Sequence, residues 1–204
     1  MQLYQFTDPT GTPLMRREAA RLGAVSARWT PIEEIPATVR RSVMAAEDAT
    51  FCEHWGVNPT ASWAAAERFF SGRGRLLGGS TISQQTAKNV FLWSERSLLR
   101  KGLELWFALL IELSWSKQRI MEVYLNVAEF GPGVFGVGAA TQAHFGGRPR
   151  GLSHDQAARL AAVLPSPRKS DPNAQDESFL ARVAAIRTGA DDLAITGRAD
   201  CVGG

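Results

Sequence analysis

The sequence SLLRKGLELWFALLIELSWS, residues 97–116, is the stretch that decides the fold class. After Gly102 its side chains are apolar almost all the way round the helix that the pattern predicts. A helix of that kind is typical of the buried centre of a helical domain. Helical periodicity also dominates the flanking segments, and the alternation that marks strands is scarce. We therefore predict a mainly α fold with this helix buried at its centre.

Capping signals indicate where other helices begin. A Ser or Thr followed three residues later by Glu or Gln is typical of a capping box at a helix start. These signals predict helix starts at Thr30 with Glu33 and at Ser153 with Gln156. The segment STISQQTAKNVFL is also predicted to begin a helix, at Ser80 or Thr81. Beyond Pro172 the sequence becomes more polar and ends in GRADCVGG, which predicts a loose tail.

Length and composition limit the class of protein. The chain has 204 residues, 45% of them hydrophobic and 21% charged, which suits one folded domain. A net charge of +3 is too small to indicate a nucleic-acid partner. The first residues show no signal peptide, and the longest apolar run, residues 105–111, is too short to span a membrane. Cys52 and Cys201 lie far apart, and we predict no disulfide framework and no metal site from them.

Two adjacent carboxylates, Glu47 and Asp48, stand near the end of a predicted helix. The helix dipole disfavours negative charge there, so stability alone does not explain them. The apolar residues around Glu47 would raise its pKa through desolvation, as a general base or acid requires. The alternative for Asp48 is a local cap or an ion pair with Arg40 or Arg41.

Glu104 is a second carboxylate in unusual surroundings. In helical projection it shares a stripe with Arg100 and Lys101 on one side and with apolar residues on the other. It therefore lies where a cationic helix end meets an apolar helix middle. The alternative to a functional role is an ordinary ion pair with Arg100, four residues earlier.

The segment GGSTISQQTAKN, residues 78–89, has the features of an anion site. Two glycines precede a helix start, whose free N–H groups can bind an anion. Ser80, Gln84 and Lys88 recur every four residues, and Gln85 lies beside this polar stripe. With the cations that follow, the stripe could hold phosphates, and a solvated face is the alternative. By contrast, GPGVFG at residues 131–136 formally matches a dinucleotide fingerprint but has no βαβ pattern around it, so we predict no organic cofactor.

Four motifs in order carry a resemblance to a known family: EDATFCEHWG, GGSTISQQTAKN, RKGLE and KQRIMEVYLNVAEFGPGVFGVGAA. Together they resemble the family-51 glycosyltransferases, the peptidoglycan transglycosylases, over roughly residues 28–169, and the short chain is typical of monofunctional members. The resemblance implies a lysozyme-like, two-lobed fold. It divides the chain into a lead-in at residues 1–27, a glycosyltransferase domain at 28–170 with a mobile membrane-facing lobe around 57–80, and a C-terminal extension at 171–204.

The same resemblance implies a reaction and a set of residues for it. The reaction is polymerisation of lipid II into glycan strands with release of undecaprenyl diphosphate. Glu47 would be the general base, and Glu104 would lie by the donor diphosphate, orienting cations or a divalent ion such as Mg²⁺ or Mn²⁺. The remaining predicted substrate-binding residues are Ser80, Gln84, Gln85, Lys88, Arg96, Lys101, Asp48 and Phe51.

The implied setting is the periplasmic face of the bacterial inner membrane. The predicted partners are lipid II, the growing glycan chain, the membrane surface and other cell-wall synthases. The family usually carries an N-terminal membrane anchor, which this sequence does not show. Two alternatives follow: the chain is truncated, or docking relies on the apolar residues between the first two motifs, around 57–80. Two rival functions are a peptidoglycan-cleaving lytic enzyme of the same general fold and a non-catalytic cell-wall scaffold.

Overall fold

The computed structural model describes residues 3–58, 79–93, 95 and 97–204. Within these residues the chain is mainly helical, as predicted. The α-helices are α1 Leu3–Phe6, α2 Pro13–Leu22, α3 Ala37–Glu47, α4 Ile82–Phe91, α5 Leu98–Ser114, α6 Lys117–Val127, α7 Val137–Phe145, α8 His154–Val163 and α9 Glu177–Ile195. Short 3₁₀ turns lie at Ile32–Glu34, Pro149–Gly151 and Asp200–Val202.

The core joins two groups of packed helices. Helix α3 packs against α8 and α9, and α4 packs against α5 and α6. Fully buried side chains from both groups, such as Val43, Ile82, Ile120 and Leu160, belong to one continuous cluster. Burial of this apolar surface is the main source of stability, and it fixes the ends of α3 and α4 relative to each other.

A small sheet of three short strands accompanies the helices. Its strands are β1 Ser26–Ala27, β2 Glu129–Gly131 and β3 Val134–Phe135, in the order β1-β3-β2. Strand β3 runs antiparallel to β2 and parallel to β1. The GPGVFG sequence is thus the turn of a hairpin and the start of α7. At Gly136 φ is +83°, and a Cβ there would lie 2.8 Å from the carbonyl oxygen of Asn126, so glycine is required.

Helices begin at the predicted positions where the capping residue has its partner three residues later in the sequence. Thr81 with Gln84 and Ser153 with Gln156 both form complete capping boxes. The predicted start at Thr30 is wrong, because only a 3₁₀ turn without a side-chain cap follows. The backbone of Thr30 instead exchanges two hydrogen bonds with the side chain of Asn126, at 2.7 and 2.9 Å.

The orientation of α5 differs from the prediction that this helix is buried at the centre. Its buried face carries Arg100, Glu104 and Glu112 together with the apolar residues Ala108 and Ile111. Its outer face is apolar, and Leu98 and Leu113 are 93% and 75% exposed. The charges turn inward because each finds a partner there, as described below.

The C-terminal region is folded, so the predicted loose tail is wrong. Helix α9 packs along α3, where Gly189 allows an approach to Ala45 that would leave an added Cβ only 3.0 Å away. Val202 in the last 3₁₀ turn is fully buried, and its carbonyl oxygen accepts a 2.5 Å hydrogen bond from Arg40. These contacts return the end of the chain to the loop after α3.

This return also corrects the prediction about the cysteines. Cys52 and Cys201 form a disulfide across 149 positions of sequence. Their separation in sequence is large, but the C-terminal turn places Cys201 beside the loop that contains Cys52. The predicted domain limits at residues 28 and 170 remain predictions, and most of the predicted lobe around 57–80 lies outside the described residues.

Candidate active site

Glu47 ends α3 at the wall of a cleft between α3 and the segment that leads into α4. Its Oε2 accepts a 2.7 Å hydrogen bond from Nε2 of Gln85. The Gln85 side chain is held in turn by Tyr124, whose hydroxyl donates to Gln85 Oε1 at 3.4 Å. The carboxylate is therefore oriented by a side chain from α4, which is supported by a buried tyrosine from α6.

The surroundings of Glu47 raise its pKa above the ordinary value. Burial is the largest cause, and the negative charge of Asp48 acts in the same direction. The hydrogen bond from Gln85 and the positive charges of Arg182 and Lys88 oppose this rise. A carboxylate with a raised pKa that is still reached from a cleft is suited to accept a proton.

Asp48 fastens the start of α4 to the end of α3. Its two carboxylate oxygens lie 2.9 and 3.0 Å from Nε2 of His54, and Oδ2 also accepts the backbone N–H of Ile82 at 3.0 Å. The alternative ion pair of Asp48 with Arg40 or Arg41 is absent from the described structure. Asp48 directly follows Glu47, so its hydrogen bond to Ile82 holds the end of α3 against the helix that carries Gln85 and Lys88.

The polar residues predicted along α4 have different environments. Ser80 lines the cleft and its Oγ accepts a 3.0 Å hydrogen bond from Lys101. Gln84 is buried and its side chain accepts from the backbone N–H of Thr81, closing the capping box. Gln84 therefore stabilises the helix start rather than facing the cleft.

Glu104 is the centre of a buried ion-pair group. Its Oε2 accepts from Nη1 of Arg100 at 2.7 Å, and its Oε1 accepts from Nζ of Lys101 at 2.5 Å. The ion pair with Arg100 considered from the sequence is therefore present, and a second cation completes it. Because Lys101 also reaches Ser80, Glu104 orients one cation toward the cleft.

Lys88 differs from these cations because it has no partner among the residues that the structure describes. Within the part of the chain that the structure describes, no hydrogen bond or ion pair joins its ammonium group to another side chain. The pKa of Lys88 is lowered, and burial is the largest cause. The positive charges of Arg100 and Lys101 lower it further, whereas the negative charges of Glu104 and Glu47 oppose the shift. An unpaired cation between the two glutamates can bind an incoming anion without breaking an existing ion pair.

Phe51, predicted to contact substrate, is fully buried below the site. The ammonium of Lys117 lies 4.4 Å from the centre of its ring. Lys117 also donates to the carbonyl of His54 and to Glu112, which accepts a short hydrogen bond from Ser83. Phe51 therefore belongs to the support of the loop. Arg96 lies outside the described residues.

The cleft at Glu47 has a volume of about 280 Å³. Its walls come from the end of α3, the loop after it and the approach to α4. The lining residues are Ala45, Ala46, Glu47, Asp48, Ala49, Thr50, Asn58, Gly79, Ser80 and Thr81. The cleft therefore opens at the carboxylate and borders the serine that Lys101 contacts.

The described residues do not supply a ligand set for a metal ion. No three His, Cys, Asp or Glu side chains lie together suitably within residues 3–58, 79–93, 95 and 97–204. Both oxygens of Glu104 already accept hydrogen bonds from cations. Among the described residues, the positive groups near the cleft include Lys88 and Lys101.

Three residues of the site were missed by the sequence analysis. Tyr124 supports Gln85, His54 pairs with Asp48, and Arg182 of α9 acts on the charge of Glu47. His54 was quoted in the first motif and Tyr124 in the fourth, but neither pattern indicated its partner. Arg182 lies in the region that the sequence analysis left without a role.

The site therefore joins a carboxylate of raised pKa to a cleft whose lining serine contacts a lysine. The comparisons with known proteins give the class of protein. The family model described as Transglycosylase matches residues 15–190. A biosynthetic peptidoglycan transglycosylase of Caulobacter vibrioides is 48% identical over 200 residues, which are 98% of this chain and 87% of that protein.

Two further relatives have the same description. One from Jannaschia sp. is 47% identical over 93% of this chain and 77% of its own length. One from Pseudomonas entomophila is 52% identical over 78% of this chain and 67% of its own length. The chain belongs to the transglycosylase family, and it is a glycosyltransferase with a mainly α, lysozyme-like fold.

Proposed function

We propose that this glycosyltransferase polymerises lipid II, the lipid-linked precursor of peptidoglycan, into glycan strands and releases undecaprenyl diphosphate. The observation that carries the proposal is the position of Glu47, whose pKa is raised by burial, near Lys88, whose ammonium group has no hydrogen bond or ion pair among the described residues. The relatives described as biosynthetic peptidoglycan transglycosylases support the choice of substrate.

Glu47 acts as the general base. It accepts the proton of the sugar hydroxyl of the acceptor, the 4-hydroxyl, while that oxygen forms a bond to the anomeric carbon of the donor. The bond from this carbon to the diphosphate breaks, and the diphosphate leaves with the electron pair. Attack opposite the leaving group inverts the anomeric centre. General-base catalysis by one carboxylate contributes roughly 10²- to 10⁴-fold.

The cations stabilise the charge that develops on the leaving diphosphate. A diphosphate is a good leaving group, so it needs neutralisation of charge more than a proton. Lys88 offers a free ammonium, and Lys101 is directed by Glu104 toward Ser80. Arg96 remains a predicted third cation. Gln85 acts on the base rather than on the leaving group.

A divalent cation has no cluster of protein ligands among the described residues. We propose that Mg²⁺ or Mn²⁺, where present, would add positive charge at the leaving diphosphate beside the cations of the protein. Chelation would then lower the rate without abolishing it.

The lytic rival requires a different pair of carboxyl groups. Glycoside hydrolysis needs a protonated carboxyl beside the leaving sugar oxygen. Glu104, the second carboxylate of the site, has both oxygens occupied by Arg100 and Lys101 and directs no proton at a sugar. The scaffold rival would not need a buried base oriented by Gln85.

The disulfide supports a location outside the cytoplasm. Disulfides persist in oxidising compartments such as the bacterial periplasm. In the described residues no helix has both the length and the apolar character needed to cross a bilayer. We propose that the enzyme works at the periplasmic face of the inner membrane, where a lipid-linked substrate lies. Other cell-wall synthases remain predicted partners.

The direct test is incubation of the protein with purified lipid II carrying a fluorescent label. The proposal predicts glycan strands that grow with time, and no shortening of purified uncrosslinked glycan. Shortened strands without polymer from lipid II would identify the lytic enzyme. Stoichiometric binding of lipid II with neither product would identify the scaffold.

A further inference from the structure

An ion pair lies behind the loop that follows Glu47, at the junction of α5 and α6. Glu112 belongs to the last turn of α5, and Lys117 is the first residue of α6. Nζ of Lys117 lies 2.7 Å from Oε1 of Glu112, and the two side chains are only 17% and 4% exposed. These charges are therefore buried together, about two helical turns along α5 from Glu104.

Neither charge of this pair stands where helix stability would place it. The helix dipole favours anions at the N-terminus of a helix and cations at its C-terminus. Here the anion Glu112 is at a C-terminus and the cation Lys117 is at an N-terminus. Burial adds a desolvation penalty that can exceed the attraction between the charges. A contribution to stability is therefore not a sufficient reason for the pair.

Lys117 supports the loop through its backbone. Its ammonium donates a 2.6 Å hydrogen bond to the carbonyl oxygen of His54 and lies 4.4 Å from the centre of the Phe51 ring. The side chain of His54 lies 2.9 and 3.0 Å from the two carboxylate oxygens of Asp48, the residue directly after Glu47. Lys117 therefore acts through His54 on the residue beside the base.

Glu112 supports the first turn of α4. Its Oε1, which accepts from Lys117, also accepts a short hydrogen bond from the hydroxyl of Ser83, two positions before Gln85. The loop returns to α5 at Gly56, where an added Cβ would lie 3.0 Å from Cγ of Glu112. One carboxylate therefore links α4, α5 and α6 and limits the path of the loop.

Two parts of the catalytic site meet through this ion pair. The loop supplies His54, which holds Asp48, and Thr50, which lines the cleft. Helix α4 supplies Gln85, which donates to Glu47. A displacement of about 1 Å between reacting groups can lower a rate about 10²-fold. Loss of the connection between the loop and α4 should therefore affect the chemical step.

We infer that Glu112 and Lys117 are positioning residues that hold the loop after Glu47 against α4 and so align the base. The inference rests on the proposed function for the identity of the reaction and deepens it by two residues. Neither residue belongs to the lining of the cleft that the structure describes. They act on the base through His54 and Ser83.

The double variant Glu112→Leu/Lys117→Met tests the inference, because it removes both charges and keeps apolar volume. Its thermal midpoint should remain within about 5 °C of the wild type, since apolar replacement of a buried ion pair is often neutral. Its kcat for detergent-solubilised lipid II should fall at least about tenfold, with KM within about threefold of the wild type. A change in alignment lowers kcat, whereas a change in substrate binding would raise KM.

The matched control is Arg119→Met/Glu122→Leu, which removes a second ion pair of α6. Its charged atoms are 2.6 Å apart, both side chains are 13% exposed, and Arg119 also donates to backbone carbonyls. These carbonyls belong to Tyr4 and Thr7 and not to the loop, so the control should keep the wild-type kcat. A wild-type kcat in the first double variant, or an equal fall of kcat in the control, would overturn the inference.

Hydrogen exchange at the backbone N–H of Ile82 measures the junction without turnover. This N–H donates to Asp48 at 3.0 Å, so it should exchange at least about tenfold faster in Glu112→Leu/Lys117→Met than in the wild type. If the wild type makes no polymer, the proposed function fails, whereas this faster exchange still supports the positioning role. Exchange at the wild-type rate would overturn that role whether or not polymer is made.

Glu112→Gln is a second variant, whose fold should survive because the side chain keeps its size. The amide oxygen can still accept from Ser83 and Lys117, but hydrogen bonds to a neutral group are about half as strong as those to a carboxylate. We expect kcat to fall about three- to tenfold with KM unchanged, because the loop is held less firmly. A wild-type kcat in Glu112→Gln would overturn the inference.

Discussion

Gln85 donates a 2.7 Å hydrogen bond to Glu47 and thereby couples helix α4, the predicted anion-binding helix, to the proposed base. The amide stabilises the ionised carboxylate and opposes the effect of burial on its pKa. The hydrogen bond from Gln85 therefore limits the rise in the pKa of Glu47 that burial causes. Tyr124 fixes the amide so that its NH₂ group, and not its oxygen, faces the carboxylate.

Replacing Gln85 by Leu should change the pH dependence of the reaction. Loss of the donated hydrogen bond raises the pKa of Glu47 further, because burial is then less opposed. A base must be ionised to act, so the acidic limb of the kcat/KM profile should move to higher pH. Gln142→Leu, at an exposed position of α7, is the control and should leave the profile in place. If the acidic limb of the kcat/KM profile lies at the same pH in Gln85→Leu as in the wild type, ionisation of Glu47 does not determine that limb.

Replacing Lys88 by Met should separate function from stability. Loss of one positive group that stabilises the leaving diphosphate should lower kcat/KM for lipid II by about 10²- to 10³-fold. The thermal midpoint should stay the same or rise, because an unpaired ammonium that is partly desolvated does not stabilise the fold. Scanning calorimetry and initial rates measure the two effects.

The control for this change is Lys169→Met, which removes an exposed lysine from the C-terminal half. It should affect neither rate nor midpoint noticeably. Polymerisation by Lys88→Met at the wild-type rate would mean that Lys88 belongs to a solvated surface and does not stabilise the leaving diphosphate.

Removal of the disulfide should destabilise the fold and the loop after Glu47. Closing a loop across 149 positions restricts the unfolded chain by about 5 kcal/mol in the chain-entropy view, and measured losses for such bonds are about 2–5 kcal/mol. Treatment with reductant should therefore lower the thermal midpoint by roughly 5–15 °C. The variant Cys52→Ser/Cys201→Ser should start at the lower midpoint and respond no further to reductant. Equal midpoints for oxidised wild type and this variant would contradict the expected stabilisation.

Replacing Asp48 by Ala should weaken the junction between α3 and α4. The change leaves Nε2 of His54 and the N–H of Ile82 without their acceptor in a buried place. Unsatisfied buried donors of this kind cost about 1–3 kcal/mol each, so the free energy of unfolding should fall by at least that amount. Asp191→Ala is the control in urea unfolding, because this carboxylate is exposed and has only a 3.5 Å contact with His154 at the surface. A variant at Asp48 as stable as the control would show that the junction does not depend on this carboxylate.

Local patterns predicted the elements whose partners are near in sequence. The capping boxes at Thr81 and Ser153 each need only the residue three positions on. The same pattern failed at Thr30, because Asn126 lies 96 positions away and takes its backbone groups. Long-range partners of this kind override a local signal.

Composition could not reveal which side of α5 faces the protein. Its residues are mostly apolar, and burial of the apolar side is the usual outcome. Here Glu104 and its two cations form a compact group that the cleft needs, so the apolar side remains outside. The site residues of the first two motifs could be named because of the family resemblance. Their hydrogen-bond partners could not, since Tyr124 and Arg182 approach from other helices.

The rate of lipid II polymerisation by Glu47→Gln is the measurement that tests the central claim most directly. The substitution keeps the size of the side chain and removes the base, so the rate should fall by about 10²- to 10⁴-fold with lipid II binding retained. Glu53→Gln, at an exposed position in the adjoining loop, should polymerise at the wild-type rate. A wild-type rate in Glu47→Gln would contradict the account, because Glu47 could then not be the group that accepts the proton.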